Sequence, residues 1–210
     1  MRRRKALNYI EKLMMHDYGL GVRLRESYNR WIETLSIDDF NRFLDLIYEF
    51  RGDIMRNMGG LIQMIGQFRA YSLEEYVYQV VRRRVRVPVG MGIYWNDDVV
   101  VWRLNSYIYT VKFDVLIGSK KDRYVDPSII VEAKVEVDAP RLKNVFMNFT
   151  LAKMLKPNVK TILVYVKWNA SQILKSIMSK YINGVYRFGY GCMDDVDMFV
   201  EYLNKHLQEG

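Results

Sequence analysis

The segment IIVEAKVEV, residues 129–137, decides how the rest of the chain is read. Its apolar, β-branched run marks a strand, yet it carries Glu132 and Lys134 two residues apart. Side chains alternate along a strand, so Glu132 and Lys134 share a face with Ile130, opposite Val131, Ala133 and Val135. Alone, the pair reads either as cross-strand charges on a wet surface or as half of a metal-dependent catalytic site. Glu136, next on the same face, is either a further ligand or the wet end of the strand, and the second reading is favoured. The flanking sequence chooses between the two.

Upstream, YIYTVKFDVLIG (107–118) alternates with period two. Phe113 and Val115 fall on one face and Lys112, Asp114 and Leu116 on the other. A further strand is expected at 98–103, and SKKDRYVDPS (119–128) reads as a charged turn, with Asp126-Pro127 as loop chemistry. Pairing around that turn sets Asp114 beside Glu132, with Lys134 adjacent. Two carboxylates at that range repel unless a cation lies between them. Hard oxygen ligands suit Mg²⁺. A lysine beside it can orient a water or help deprotonate it, and can stabilise charge developing on phosphorus.

Downstream, VDAPRLKNVFMNFTLAKMLKP reads as a helix with Asp138 at its N-cap and Pro140 in its first turn. KTILVYVKW is a buried strand, ASQILKSIMSKYI a helix, GVYRFGY a short strand and DDVDMFVEYLNKHL a closing helix. Before the strands, a helix is expected from near Ser72 to RRRVRVP, where Pro88 stops it. The order after residue 70 is α-β-β-β-α-β-α-β-α. It predicts an α/β fold with a mixed central sheet flanked by helices. Residues 1–70 read as a helical extension, with Ser36 capping an amphipathic helix through Phe40, Phe43, Leu44, Ile47 and Tyr48. The division is thus 1–70, taken as a dimerisation arm, and 71–210.

Asp114, an 18-residue interval, then Glu132-Ala133-Lys134 at the end of an apolar strand resembles the core of the PD-(D/E)XK nuclease superfamily. That superfamily includes type II restriction enzymes and archaeal Holliday junction resolvases, and its order of helix, three-strand meander, crossover helix and strand fits residues 72–168. One departure is that Phe113, not proline, precedes Asp114. The resemblance implies a Mg²⁺-dependent DNA endonuclease, with Mn²⁺ able to substitute. Asp114, Glu132 and the Ala133 carbonyl would then be metal ligands, and Lys134 would position the water. Many members add an acid from the first helix. Here SLEEYVYQVV offers Glu74, on the flank of the apolar stripe, and Glu75, which points away and is expected to be solvated. The alternative is a nuclease-fold DNA-binding or assembly protein without catalysis. Restriction-type and junction-resolving activities both remain open, and both call for a homodimer.

Charge distribution points the same way. The chain carries a net +8, and although 24 of its 210 residues are acidic, none lies between Ala139 and Met193. A basic stretch without counter-charges favours phosphate contact. Arg141, Lys143 and Asn144 near a helix start, and Lys153 further along, are candidate DNA contacts. Arg82, Arg83 and Arg84 either complement their helix dipole or touch DNA. A lone Cys192 and two distant histidines, His16 and His206, argue against disulfides and a structural zinc site. No membrane span, secretory signal or small-molecule cofactor motif is seen, which sets the expectation of a cytoplasmic protein. The abundance of Tyr, Val, Ile, Lys and Arg fits a thermophilic archaeal or viral source.

Overall fold

The computed structural model describes residues 6–60 and 62–208. Residues 1–5 and Leu61, covered by the helical expectation for 1–70, lie outside the described residues, as do 209–210. Five helices come first: α1 (Ala6–Met14), α2 (Tyr18–Thr34), α3 (Ile37–Glu49), α4 (Arg51–Met58) and α5 (Ile62–Arg84). Ser36 caps α3 as expected, its hydroxyl accepting from the Asp39 amide. Helix α5 begins at Ile62 rather than near Ser72. The break falls earlier because Gly59, in the left-handed region at φ 61, ends α4. Gly66 lies within α5 without interrupting it, a cost of about 1 kcal/mol that tertiary packing absorbs.

The sheet runs β1 (Gly92–Leu104), β2 (Tyr107–Lys121), β3 (Tyr124–Val137), β4 (Lys160–Trp168) and β5 (Gly184–Arg187), in that spatial order. β1, β2 and β3 form an antiparallel meander, whereas β4 and β5 join in parallel through α6 (Ala139–Leu155) and α7 (Gln172–Met178). Helix α8 (Met193–Gln208) closes the chain. This is the α/β mixed sheet flanked by helices, with an N-terminal helical extension, that the element order predicts.

The first strand is longer than the expected 98–103, and the charged segment 119–128 is mostly strand. β2 runs to Lys121 and β3 starts at Tyr124, leaving Asp122-Arg123 as a two-residue turn with Asp122 at φ 55. Ion pairs of Asp126 with Lys121 and Lys156 neutralise the charges that make this segment read as a loop. Pro127 is tolerated inside β3 because the ladder shifts there, pairing Ile117 with Ile129 but Gly118 with Pro127. Gly118 is required by that bulge, since a Cβ would meet the Asp126 carbonyl oxygen at 2.2 Å.

Each sheet face buries its own apolar layer. Val131, Ala133 and Val135 of β3 pack with α5, α8 and the N-terminal helices, in a cluster continuous from Ala6 to Leu207. Ile130 and Leu163 pack on the other face with Val145 and Phe149 of α6. In β2 the expected alternation slips at Asp114: Phe113 lies in the α6 layer, Val115 in the α5 layer. The β2–β3 ladder begins only at Val115–Val131, and the β1 residue at this level, Asn96, has φ 53. Asp114 therefore stands where two strands part. Among the described residues, no helix is long and apolar enough to cross a membrane.

Candidate active site

The parting of β2 from β3 leaves backbone groups of β3 without a ladder partner, and side chains replace it. Asp114 Oδ2 accepts from the Ala133 amide at 2.8 Å and from Lys134 Nζ at 2.8 Å. The N–H and C=O of a strand residue point to the same side, so the Ala133 carbonyl also faces the Asp114 side. Lys134 Nζ donates a second, short hydrogen bond to Glu132 Oε2, and Asn148 of α6 reaches Glu132 Oε1 at 3.5 Å. Asp114, Glu132 and Lys134 thus form one hydrogen-bonded cluster, as the pairing of the two strands predicts, although the alternation that placed Asp114 slips.

The cluster is poorly hydrated, and that sets its electrostatics. Glu132 is 3% exposed; burial raises its pKa, and the charge of Asp114 adds to the rise while Lys134 opposes it. Burial disfavours the charged form of Lys134, but Asp114 and Glu132 outweigh it and hold the ammonium protonated above the ordinary lysine range. Lys134 is therefore held as a cation by its two carboxylate neighbours.

Glu74 reaches the same cluster from α5. Burial, then the charge of Asp114, pushes its pKa up to about 9, with Lys134 and the nearby Trp95 indole N–H opposing. Oε2 of Glu74 and Nε1 of Trp95 are both buried without a hydrogen-bond partner, so the indole stops short of satisfying the acid. Glu75, expected to be solvated, is 2% exposed and accepts from the Ala6 amide at 3.2 Å and the Tyr28 hydroxyl at 2.9 Å. It points away from the sheet, but the N-terminal helices cover that side too.

A cleft of about 200 Å³ opens beside the cluster, lined by Gly66, Arg69, Ala70 and Glu74 of α5, Ala133 to Glu136 of β3, and Arg141. Glu136 faces Arg69 across it at 3.6 Å. The donors around Asp114 are carboxylate and carbonyl oxygens, the set Mg²⁺ takes. The unpartnered Glu74 oxygen is a group such an ion would satisfy. As the side chains stand, with Lys134 between Asp114 and Glu132, no three His, Cys, Asp or Glu among the described residues are arranged to hold a metal.

The expected DNA contacts divide into two groups. Arg141, Lys143 and Asn144 are exposed on the first turns of α6, directly after β3, and Arg141 also hydrogen-bonds Asp138. Lys153 is engaged by the Tyr181 carbonyl at 2.8 Å. Arg82, Arg83 and Arg84 lie about 12–15 Å along α5 from Glu74. Arg83 donates to the Ile32 carbonyl and Arg84 pairs with Asp197, both at 2.6 Å. Three site residues went unread in the sequence: Asn148, Trp95 and Arg69. Asn148 carried a signal, since it falls among Val145, Phe149 and Ala152 on the buried stripe of α6.

No protein-family model and no curated protein matches this chain. Among solved structures, a chain from the native A2B2 tetramer of BbvCI is similar at a TM-score of 0.40 and 13% identity, covering 79% of this chain and 72% of that one. A likeness that weak carries no functional argument.

Proposed function

We propose that the chain is a metal-dependent DNA endonuclease hydrolysing phosphodiester bonds. The observation that carries the reading is the convergence of Asp114, Glu132 and Lys134 at the parting of β2 and β3, with a buried Glu74 oxygen unpartnered beside them. Asp114, Glu132 and the Ala133 carbonyl would hold Mg²⁺ or Mn²⁺, with Glu74 in support. Bound there, the cation supplies Lewis-acid stabilisation of phosphoryl charge and a water of lowered pKa. Lys134 orients the attacking water and offsets negative charge. Asn148 steadies Glu132 through its amide. Expulsion of the 3′ oxygen leaves a 5′-phosphate and a 3′-hydroxyl. Cutting both strands takes two such sites, hence a homodimer, whether the substrate is a restriction site or a junction.

The test is Mg²⁺-dependent cleavage of plasmid, single-stranded and branched DNA. Asp114→Ala and Lys134→Ala are each expected to lose on the order of 10²-fold or more in rate. Unchanged cleavage in both variants would sink the assignment. The insertion of Lys134 between the two carboxylates favours a second reading, a nuclease-fold DNA-binding or assembly protein that does not cut. Titration calorimetry separates them: salt-dependent duplex binding with no uptake of Mg²⁺ or Mn²⁺ supports the second.

A further inference from the structure

Arg69 is a cleft residue whose charge the cluster does not use. It lies about 7.5 Å along α5 from Glu74, on the wall that Gly66 and Ala70 leave open. Its side chain is only 18% exposed, and Nε is buried without a hydrogen-bond partner. The nearest carboxylate, Glu136, stands at 3.6 Å, outside hydrogen-bonding range, and the guanidinium lies 5.4 Å from the Tyr48 ring centroid. Lys134 and Arg141 complete the basic lining. At about 200 Å³ the cleft falls below the roughly 300–1,000 Å³ of sites for drug-sized molecules, so a small-molecule ligand is a poor fit. A planar guanidinium fork matches paired phosphate oxygens, and the acid-free stretch begins where the cleft ends.

We propose that Arg69 is a phosphate-binding residue of this site, whose guanidinium leaves Glu136 and donates to the non-bridging oxygens of a DNA phosphodiester seated between α5 and β3. The assignment rests on the nuclease reading and names how that site holds its substrate. Tyr48 backs the guanidinium, and Glu136 holds it in place until the phosphate arrives.

The test measures labelled duplex binding by the full chain in EDTA across a salt series, then cleavage in Mg²⁺, for wild type, Arg69→Gln, Arg69→Lys and Glu136→Gln. Arg69→Gln is expected to weaken binding on the order of tenfold on unrelated sequences and to reduce the salt slope by about one. Arg69→Lys keeps the charge, so it should restore the slope without full affinity, and it substitutes for Arg69→Gln if that variant misfolds. Glu136→Gln should tighten binding by freeing Arg69. If the pair is merely structural, Arg69→Gln and Glu136→Gln lose thermal stability and affinity together, which overturns the proposal. Wild type that cuts DNA while Arg69→Gln matches it in affinity, slope and kcat/KM overturns the Arg69 assignment and leaves the nuclease reading intact. Arg69-dependent binding with no cleavage by wild type does the reverse. A wild-type chain that neither binds nor cuts DNA overturns both.

Discussion

At the scale of single residues, Glu74 and Lys134 are the two charges burial treats most differently. Lys134 has two carboxylates to hold it, whereas Glu74 has a buried oxygen with no donor. The pKa of Glu74 in the fold, about 9, lies above its ordinary 4.5, so the folded state favours the protonated acid. Its contribution to stability is complete below pH 4.5 and is lost as pH rises through 9. Glu74→Gln should therefore match wild type in Tm near pH 4.5 and exceed it increasingly toward pH 9, measured without divalent metal. Lys134→Ala should do the opposite, leaving the buried Glu132 carboxylate unopposed beside Asp114 at a cost of roughly 3 kcal/mol at pH 8 and less at pH 5, below the raised pKa of Glu132, about 7. Urea unfolding at the two pH values reads that difference. Glu132 and Lys134 were legible because strand alternation puts them on one face, and Asp114 because the hairpin returns β3 beside it, although the β2 alternation itself slips there. Arg69 was not, because its place in the cleft beside Lys134 and Glu136 exists only once α5 packs against β3.

At the scale of elements, helix α5 and the β2–β3 hairpin explain where sequence reading worked and where it did not. A helix covered on one side shows its buried face as an apolar stripe, and on that rule Glu75 should have been wet. α5 is covered on two sides, by the sheet and by α1 and α2, so Glu75 is buried against Ala6 and Tyr28 and the stripe blurs. The hairpin departs from the expected loop for a different reason. Charged residues across 119–128 resembled a loop because their pairing partners, Lys121 with Asp126 and Lys120 with Asp97, neutralise one another only once the strands are in register. The bulge at Gly118–Pro127 sets that register for the hairpin that carries Asp114 and Glu132. Gly118→Ala is expected to cost about 1–3 kcal/mol, because the added methyl meets backbone rather than a movable side chain. Urea midpoints of the variant check it, and a loss of cleavage larger than the loss of folded protein would show that the register also places the site.

At the scale of the whole molecule, the helical extension and the sheet share one apolar layer, and the site lies on the sheet side of that layer where α5 crosses it. The element order after residue 70 was readable because helices and strands differ in period and because prolines and caps punctuate them. The joint core was not, since no local pattern says which helix face meets which sheet. Lys134 supplies a cation to Asp114 and Glu132 from the chain itself, so EDTA is expected to leave Tm within about 1 °C of its untreated value, unlike proteins that fold on their metal. Differential scanning calorimetry decides that. The lysine held between two acids also has a consequence for timing. On the proposed nuclease reading, a site that brings its own cation would present DNA with a nearly balanced surface instead of bare carboxylates, so the nucleic acid would dock before any divalent ion arrives. Rapid mixing should then show one order of addition to be faster: a complex formed in chelator and given Mg²⁺ should begin cutting without a lag, whereas metal-loaded protein given DNA should still pass through a binding phase set by salt.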